Sequence, residues 1–272
     1  MILYYNSKPF KRNLNAILKA VKKNHNQNLT KLLNYATTAT TRKADLIGID
    51  SLRFITTANF INKLKRKFGI ITISHKPTQK EKKRLIFDNF DNLTADINSL
   101  QTAKITNKIT LQIYHTQSTN LKARKSKKGL NSVFMLNLHG LMQYNTKGAI
   151  IRHKKLIDNT FTYILKNATA TKTRKNITLK SFDLAFDFYE NEIINPNYAK
   201  SCFEFIGDLK GDYQNEKGTL YIQKQHRPLK YPLQKIVIYN KTLKSKAKDK
   251  APFKNAINRF EFRFYQKTTR GG

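Results

Sequence analysis

Three runs near the end of the chain alternate apolar and polar residues: Ser181-Phe-Asp-Leu-Ala-Phe-Asp187, Lys235-Ile-Val-Ile-Tyr-Asn-Lys241 and Asn258-Arg-Phe-Glu-Phe-Arg-Phe264. A period of two residues is typical of half-buried β-strands. The apolar residues of each run share one face, which we expect to pack on a core. If the three strands belong to one sheet, its open face gathers several cations with three carboxylates and a tyrosine, namely Asp183, Asp187, Glu261 and Tyr239.

The rest of the chain predicts an α+β fold, mainly antiparallel sheet with helices packed on one face. Residues 47–55 form another strand-like run, and helical spacing follows over 58–67 and again over 154–166. Ile49-Asp-Ser-Leu-Arg-Phe54 echoes Phe182-Asp-Leu-Ala-Phe-Asp187, with a strand-helix-strand pattern after each. The sequence therefore allows two similar lobes, 46–167 and 176–272, within a core of residues 46–272.

Residues 1–45 are basic and helix-prone, and they form a separate N-terminal segment. Two interpretations stay open for this segment. It is either a small helical attachment that contacts DNA or an amphipathic pair of helices packed on the main domain.

The charge balance points to a polyanionic partner. The chain has 272 residues and a formal charge of +35, from 52 Lys and Arg against 17 Asp and Glu, with a pI near 10.2. We expect nucleic acid rather than a membrane surface, although a Lys- and Asn-rich proteome would explain part of the surplus. The loop 122–128 is either a solvated turn or a phosphate-contacting hairpin, with its cations at Lys122, Arg124, Lys125, Lys127 and Lys128.

Several classes of protein are not supported by the sequence. A single cysteine, Cys202, excludes internal disulfides and cysteine-based zinc sites and fits a cytoplasmic protein. No apolar run approaches 18 residues, which predicts no transmembrane helix and no membrane partner. The six histidines form no metal-binding pair of known spacing, and no phosphate-binding glycine loop occurs.

The acidic residues and Tyr239 suggest phosphodiester chemistry. Asp183 and Asp187 are four apart, about 13 Å along a strand, so we expect one of them to pair with Glu261 to hold Mg²⁺ or Mn²⁺. The alternative is that these acids neutralise Arg259, Arg263 or nearby lysines.

Tyr239 is the candidate nucleophile, because cations on its face would lower the pKa of the phenol. Lys235 and Lys241 are the cations expected to act in this way. The alternative is that Tyr239 is an ordinary half-exposed strand aromatic.

Taken in order, the motifs resemble the replication initiation factor family, the rolling-circle initiators of small plasmids and filamentous phages. The resemblance rests on Phe182-Asp-Leu-Ala-Phe-Asp187, Thr219-Leu-Tyr-Ile222, Ile236-Val-Ile-Tyr-Asn-Lys-Thr242 and Asn258-Arg-Phe-Glu-Phe-Arg263. Residues 49–54 and 140–148 lie where that family carries similar segments, so the likeness extends loosely over 47–265. We expect no long segment of the kind that many members carry after the last of these motifs.

The resemblance implies a DNA-nicking enzyme of the HUH-like type without paired histidines. Tyr239 would attack one strand at an origin, forming a 5′-phosphotyrosine link and releasing a 3′-OH that primes replication. Lys241 would stabilise the phosphate charge, and Asp183, Asp187 and Glu261 would hold the metal. Arg259 and Arg263 are expected to contact the DNA, and a host helicase and a homodimer are the further expected partners.

Two rival interpretations accompany this prediction. A relaxase or a transposase would use the same chemistry on a different DNA site. A non-catalytic DNA- or RNA-binding protein would use only the basic surface, with the acids as ion-pair partners.

Overall fold

The computed structural model of the chain describes residues 46–82, 93–104, 110–118, 132–142, 155–169, 176–190, 212–216, 219–223, 233–243 and 256–265. These contain ten strands and two longer helices: β1 (Leu46–Thr56), α1 (Ala58–Phe68), β2 (Ile73–His75), β3 (Leu93–Lys104), β4 (Thr110–Ser118), β5 (Ser132–His139), α2 (Lys155–Thr169), β6 (Ile177–Glu190), β7 (Asp212–Glu216), β8 (Thr219–Gln223), β9 (Leu233–Asn240) and β10 (Ala256–Tyr265). The predicted N-terminal segment 1–45 and the basic loop 122–128 lie outside the described residues. Residues 196–205, where the spacing of Ala199, Cys202 and Phe203 predicts a further helix, also lie outside them.

The chain divides into two compact units. The first contains Leu52–Gly140 and Lys154–Lys180. The second contains the start of β1 up to Ser51, the stretch that begins at Leu141 and ends before Lys154, and everything described from Ser181 onward. Strand order is β1-β5-β4-β3-β2 in the first unit and β6-β10-β9-β8-β7 in the second. In each unit the first strand lies beside the last, and the pairings are antiparallel. The predicted α+β class with mainly antiparallel sheet is therefore confirmed.

In the first unit, helix α1 begins and ends at residues suited to those positions. The Thr57 side chain accepts a hydrogen bond from the Phe60 amide, which satisfies a donor of the first turn. Gly69 ends the helix at φ +60°, and its amide bonds to the Lys65 carbonyl. The helix contacts α2 through the rings of Phe60 and Tyr163, whose centroids lie 6.0 Å apart.

In the second unit, phenylalanines fix the register between β6 and β10. Phe182 and Phe264 are direct partners with ring centroids 5.3 Å apart, and two diagonal pairs, Phe186–Phe262 and Phe188–Phe260, lie at 5.4 Å. A slip of one residue would move all these rings to the opposite face of the strands. The polar residues between them are therefore held firmly on the other face.

Most predicted elements are present, and the differences have local causes. The sequence predicts a loop over 207–218, but Asp212–Glu216 is strand β7, because its backbone pairs with β8 although the side chains are polar. The charged sequence of residues 75–84 also predicts a loop, but His75 ends β2 and a helical turn begins at Gln79. Thr78 and Glu81 form a reciprocal capping pair at that turn.

Among the residues that the structure describes, no helix is both long and apolar enough to cross a membrane.

Candidate functional site

The polar face of the second unit is built from rows of residues that lie side by side on neighbouring strands. One row consists of Asp187 on β6, Arg259 on β10, Tyr239 on β9 and Thr219 on β8. The adjacent row has Glu261 on β10, between Ala185 and Val237, and the row beyond has Arg263 between Asp183 and Lys235. The sequence prediction that Tyr239, Glu261 and the two aspartates share one face is therefore confirmed for the described strands.

Each aspartate of β6 is held by the arginine opposite it on β10. Arg263 donates from Nε and Nη2 to the two oxygens of Asp183, at 2.6 and 2.8 Å. Arg259 binds Asp187 in the same way, at 2.6 and 2.7 Å. Two parallel charge-assisted bonds fix both planar groups, and they are stronger than neutral hydrogen bonds. This geometry matches the ion-pair alternative for the two aspartates.

Arg259 also joins the sheet to the segment that follows β5. Its Nη1 donates to Asp50 Oδ1 at 3.0 Å, and its Nη2 donates to the Met142 carbonyl at 3.0 Å. The Met142 amide in turn donates to Asp50 Oδ1 at 3.2 Å. Burial alone would lower the pKa of Arg259, but attraction to Asp187 and Asp50 raises it well above its usual value. Arg259 therefore remains charged and acts as the centre of a buried polar network.

Tyr239 donates a hydrogen bond from its hydroxyl to Glu261 Oε1, at 2.5 Å. Burial, followed by the negative charge of Glu261, raises the pKa of Tyr239 well above 10, and Arg259 opposes this only in part. The phenol is therefore protonated at neutral pH, and the atom that receives its hydrogen bond is a carboxylate oxygen. A hydroxyl beside a carboxylate that can accept its proton is the arrangement needed in a nucleophile activated by a base.

Lys241 lies at the end of β9, where the sequence predicted a continuing strand. The structure instead has a helical turn over residues 241–243, which begins because Asn240 Oδ1 accepts the Leu243 amide at 2.7 Å. The hydroxyl of Thr242 accepts the Ile257 amide at 2.9 Å and ties the turn to β10. This places Lys241 in the interior, with only 5% of its surface exposed.

Two opposing influences act on the Lys241 ammonium. Burial, then the charge of Arg259, lowers the pKa of Lys241 to about 8, although the carboxylates of Asp50, Glu261 and Asp187 pull it in the opposite direction. The lysine thus lies within the electrostatic reach of the whole network around Arg259.

The face is buried, which corrects the expectation of an open one. Tyr239 is 4% exposed, and all eight residues of β9 are buried on both faces. Asp187 and Arg259 have no accessible side-chain surface, whereas Asp50 and Glu261 retain 13% and 15%. Period-two alternation indicates which residues share a face but not whether something covers it. Solvent reaches this network mainly through Asp50 and Glu261.

The predicted metal ligands are chemically suitable but differently engaged. Carboxylate oxygens are the ligands that Mg²⁺ and Mn²⁺ prefer. Asp183 and Asp187, however, each present both oxygens to an arginine, while Glu261 Oε1 accepts from Tyr239 and lies 3.7 Å from Arg259 Nη1. No group of three His, Cys, Asp or Glu side chains with metal-binding geometry occurs among the described residues. An ion would enter here only if an aspartate exchanged its arginine for the metal.

Some site residues were missed by the sequence prediction, and others cannot be placed. Asp50 and Met142 were not predicted as site residues, because each lies more than 100 positions from Arg259 in the sequence. The available signal for Asp50 was an acidic residue within the mainly apolar run of residues 47–55. The five predicted phosphate-contacting cations of the loop 122–128 lie outside the described residues.

Comparison of the chain with protein-family models and with curated protein sequences finds no match.

Proposed function

We propose that the protein is a rolling-circle replication initiator that nicks one DNA strand through a phosphotyrosine intermediate on Tyr239. The observation that carries this proposal is the 2.5 Å hydrogen bond from the Tyr239 hydroxyl to Glu261. The ordered motifs and the charge of +35 support a DNA substrate. A relaxase or transposase role would rest on the same chemistry and would differ in the DNA site.

The proposed reaction uses three residues of this network. As the Tyr239 oxygen attacks phosphorus, its proton passes to Glu261, which removes the cost of forming a free phenolate in a buried site. The bond from phosphorus to O3′ breaks, and O3′ leaves as a hydroxyl after taking a proton from solvent. The Lys241 ammonium stabilises the charge that develops on the phosphate oxygens.

A divalent metal, Mg²⁺ or Mn²⁺, is the proposed cofactor. When bound, it would polarise the scissile phosphate. Of the three predicted ligands, Glu261 retains solvent access, and Asp183 and Asp187 would first have to release Arg263 and Arg259. Those two arginines would then be available to DNA phosphates, as the sequence analysis expects.

Further parts of the proposal concern organisation and partners. The two units have the same strand order, which supports a duplicated strand-helix-strand lobe with the predicted bounds 46–167 and 176–272. A host helicase, a homodimer and a cytoplasmic location remain proposals based on the family resemblance and on the cysteine content.

A non-catalytic nucleic-acid-binding protein is the second candidate. The observation that favours it is the pairing of Asp183 and Asp187 with arginines through both oxygens, which gives these acids a structural role. In that protein Tyr239 and Glu261 would be a buried hydrogen-bonded pair without chemistry.

The deciding experiment is incubation with negatively supercoiled plasmid that carries the replicon of this chain, with Mg²⁺, Mn²⁺ or EDTA. Metal-dependent open circles and a nucleotide adduct on Tyr239, found by mass spectrometry, are the expected result. Tyr239→Phe should lose the adduct and keep duplex affinity. Tyr221→Phe is the matched control, because Tyr221 is partly exposed on the neighbouring strand, opposite Val237, and should keep the adduct. Tight binding with no nicking would favour the binding-protein candidate, and an adduct on another tyrosine would remove Tyr239 from the site.

A further inference from the structure

Two isoleucines, Ile71 just before β2 and Ile73 at its first residue, form an exposed apolar pair at the edge of the first unit. Ile71 is 86% exposed and Ile73 is 74% exposed, which makes them the most exposed large apolar side chains of the described residues. Thr72 alone separates them in the chain. β2 ends the strand order of its unit, with β3 as its one partner among the described strands. Single exposed apolar residues are ordinary, but a pair on one edge suggests a contact surface.

The segment that carries the pair is held in place by its neighbours. The Ile70 amide donates to the Lys65 carbonyl at 3.0 Å, just after Gly69 ends α1. Lys65 Nζ donates to Thr72 Oγ1 at 2.8 Å and to Gln101 Oε1 on β3 at 2.5 Å. Because Thr72 lies between the two isoleucines, these bonds fix the direction in which both side chains project.

The surroundings of the pair are strongly positive. Residues 58–82 contain seven Lys and Arg and a single acid, Glu81. That acid is already engaged, since its carboxylate accepts from the Thr78 amide at 2.9 Å and lies 3.3 Å from His75 Nε2. Exposed cations flank the pair on both sides in the sequence, at Lys63, Arg66, Lys76 and Lys80. Charge of one sign opposes pairing of this edge with a second copy and favours a polyanion.

Apolar side chains among cations fit duplex DNA better than a single strand. Proteins that bind single strands stack bases on aromatic rings, and isoleucine offers none. Isoleucine and leucine are used as wedges that enter between base pairs while nearby cations bind phosphates. Two residues of chain can span at most about 7 Å, which is close to two base-pair rises of about 3.4 Å each.

We propose that Ile71 and Ile73 form an apolar wedge that enters between base pairs of duplex DNA, with Lys63, Arg66, Lys76 and Lys80 bound to the adjacent phosphates. The inference depends on the proposed function only for the choice of DNA as partner. Partial unstacking at the wedge unwinds the duplex locally. An enzyme that nicks one strand gains from this, because the strand to be cut is freed from its complement.

The test measures unwinding directly. Relaxed plasmid is saturated with the full-length Tyr239→Phe protein in EDTA, treated with a metal-independent topoisomerase, deproteinised and resolved into topoisomers. We expect a lower linking number for the bound plasmid. In the same background, Ile71→Ser with Ile73→Ser should abolish this shift at saturation and leave the salt dependence of binding unchanged.

Two control variants separate the roles of the residues. Ser74 is exposed and lies between Ile73 and His75, so Ser74→Ala should keep the full shift in linking number. Lys63→Gln with Arg66→Gln should weaken binding and reduce its salt slope by about two, yet keep the shift once protein is saturating. The wedge proposal is wrong if the double isoleucine variant shows an unchanged shift in linking number, or if the Tyr239→Phe protein itself shows none. In either case an extended acidic peptide would be the better candidate partner for this edge. Neither result depends on covalent adduct formation, so the proposed nicking activity stands or falls separately.

Discussion

The buried ammonium of Lys241 should make the protein less stable at neutral pH than it would be without that charge. Burial lowers the pKa of Lys241 from 10.5 to about 8, even though three carboxylates attract it. At about 1.4 kcal/mol per unit, this corresponds to a penalty of roughly 3 kcal/mol for keeping the charged form folded. Lys241→Met removes the charge and preserves most of the side-chain volume. We therefore expect the variant to have the higher free energy of unfolding at pH 7.

The sign of the pH dependence follows from the same shift. Below pH 8 the lysine is charged in both the folded and the unfolded chain, so the full penalty applies. Between pH 8 and 10.5 the unfolded chain keeps a proton that the folded chain has released, and the contribution of Lys241 to stability becomes more favourable as the pH rises. The advantage of Lys241→Met should therefore fall by more than half between pH 7 and pH 9.5.

Urea unfolding at pH 7 and pH 9.5, followed by circular dichroism, measures both quantities for the wild type and the variant. The tyrosine fluorescence of a chain with 13 tyrosines and no tryptophan gives a second probe. Lys63→Met is the matched control, because Lys63 is exposed and its loss should change stability by less than about 0.5 kcal/mol. The reasoning is refuted if Lys241→Met is the less stable protein at pH 7, or if its advantage is the same at both pH values.

Three further predictions test the described structure. Arg259→Met takes the arginine charge and two hydrogen bonds away from the buried Asp187 carboxylate, so it should lower the free energy of unfolding in urea by about 3–5 kcal/mol. Asp187→Asn leaves the arginine paired with Asp50 and should lower it less. The opposite order would contradict this network. Asn137 is fully buried, and neither its Oδ1 nor its Nδ2 has a hydrogen-bond partner in the described structure. Asn137→Leu should therefore raise the free energy of unfolding by about 1–2 kcal/mol. A loss of stability would show that the amide does form hydrogen bonds in the folded protein. Gly69→Ala meets no atom within 4 Å but must adopt φ +60°, so its thermal midpoint should fall by an amount equivalent to about 1 kcal/mol, and an unchanged midpoint would exclude a left-handed residue there.

The sheet of the second unit could be predicted because its information is local. Phenylalanines at every second position of β10 face those of β6, and this alternation sets both the face and the register. The same alternation places Tyr239 and Glu261 on one side of adjacent strands, so their proximity could be inferred from the sequence. Tyr239 lies opposite Arg259, and its hydrogen bond reaches Glu261, two residues further along β10.

The rest of the network could not be predicted, since its contacts are distant in sequence. Arg259 and Asp50 are 209 positions apart, and Arg259 and Met142 are 117 apart. No spacing rule connects such residues. The position of Lys241 was predicted incorrectly for a different reason: Asn240 caps a helical turn, and this local hydrogen bond outweighs the strand pattern that precedes it.

The residues of this network differ in whether their charges are stabilised where they lie, and this difference separates the structural residues from the candidate reactive ones. Asp183 and Asp187 each meet an arginine through both oxygens, so these acids contribute stability where they lie. Lys241 keeps a charge that burial opposes, beside a tyrosine whose hydroxyl faces a carboxylate. Proteins tend to violate the rules of stable packing at sites that bind or react, and a DNA phosphate would add to the attraction that Asp50, Glu261 and Asp187 already exert on Lys241. On this argument the proposed reactive group is Tyr239 with Glu261 and Lys241, and the two aspartates hold Arg259 and Arg263 in place.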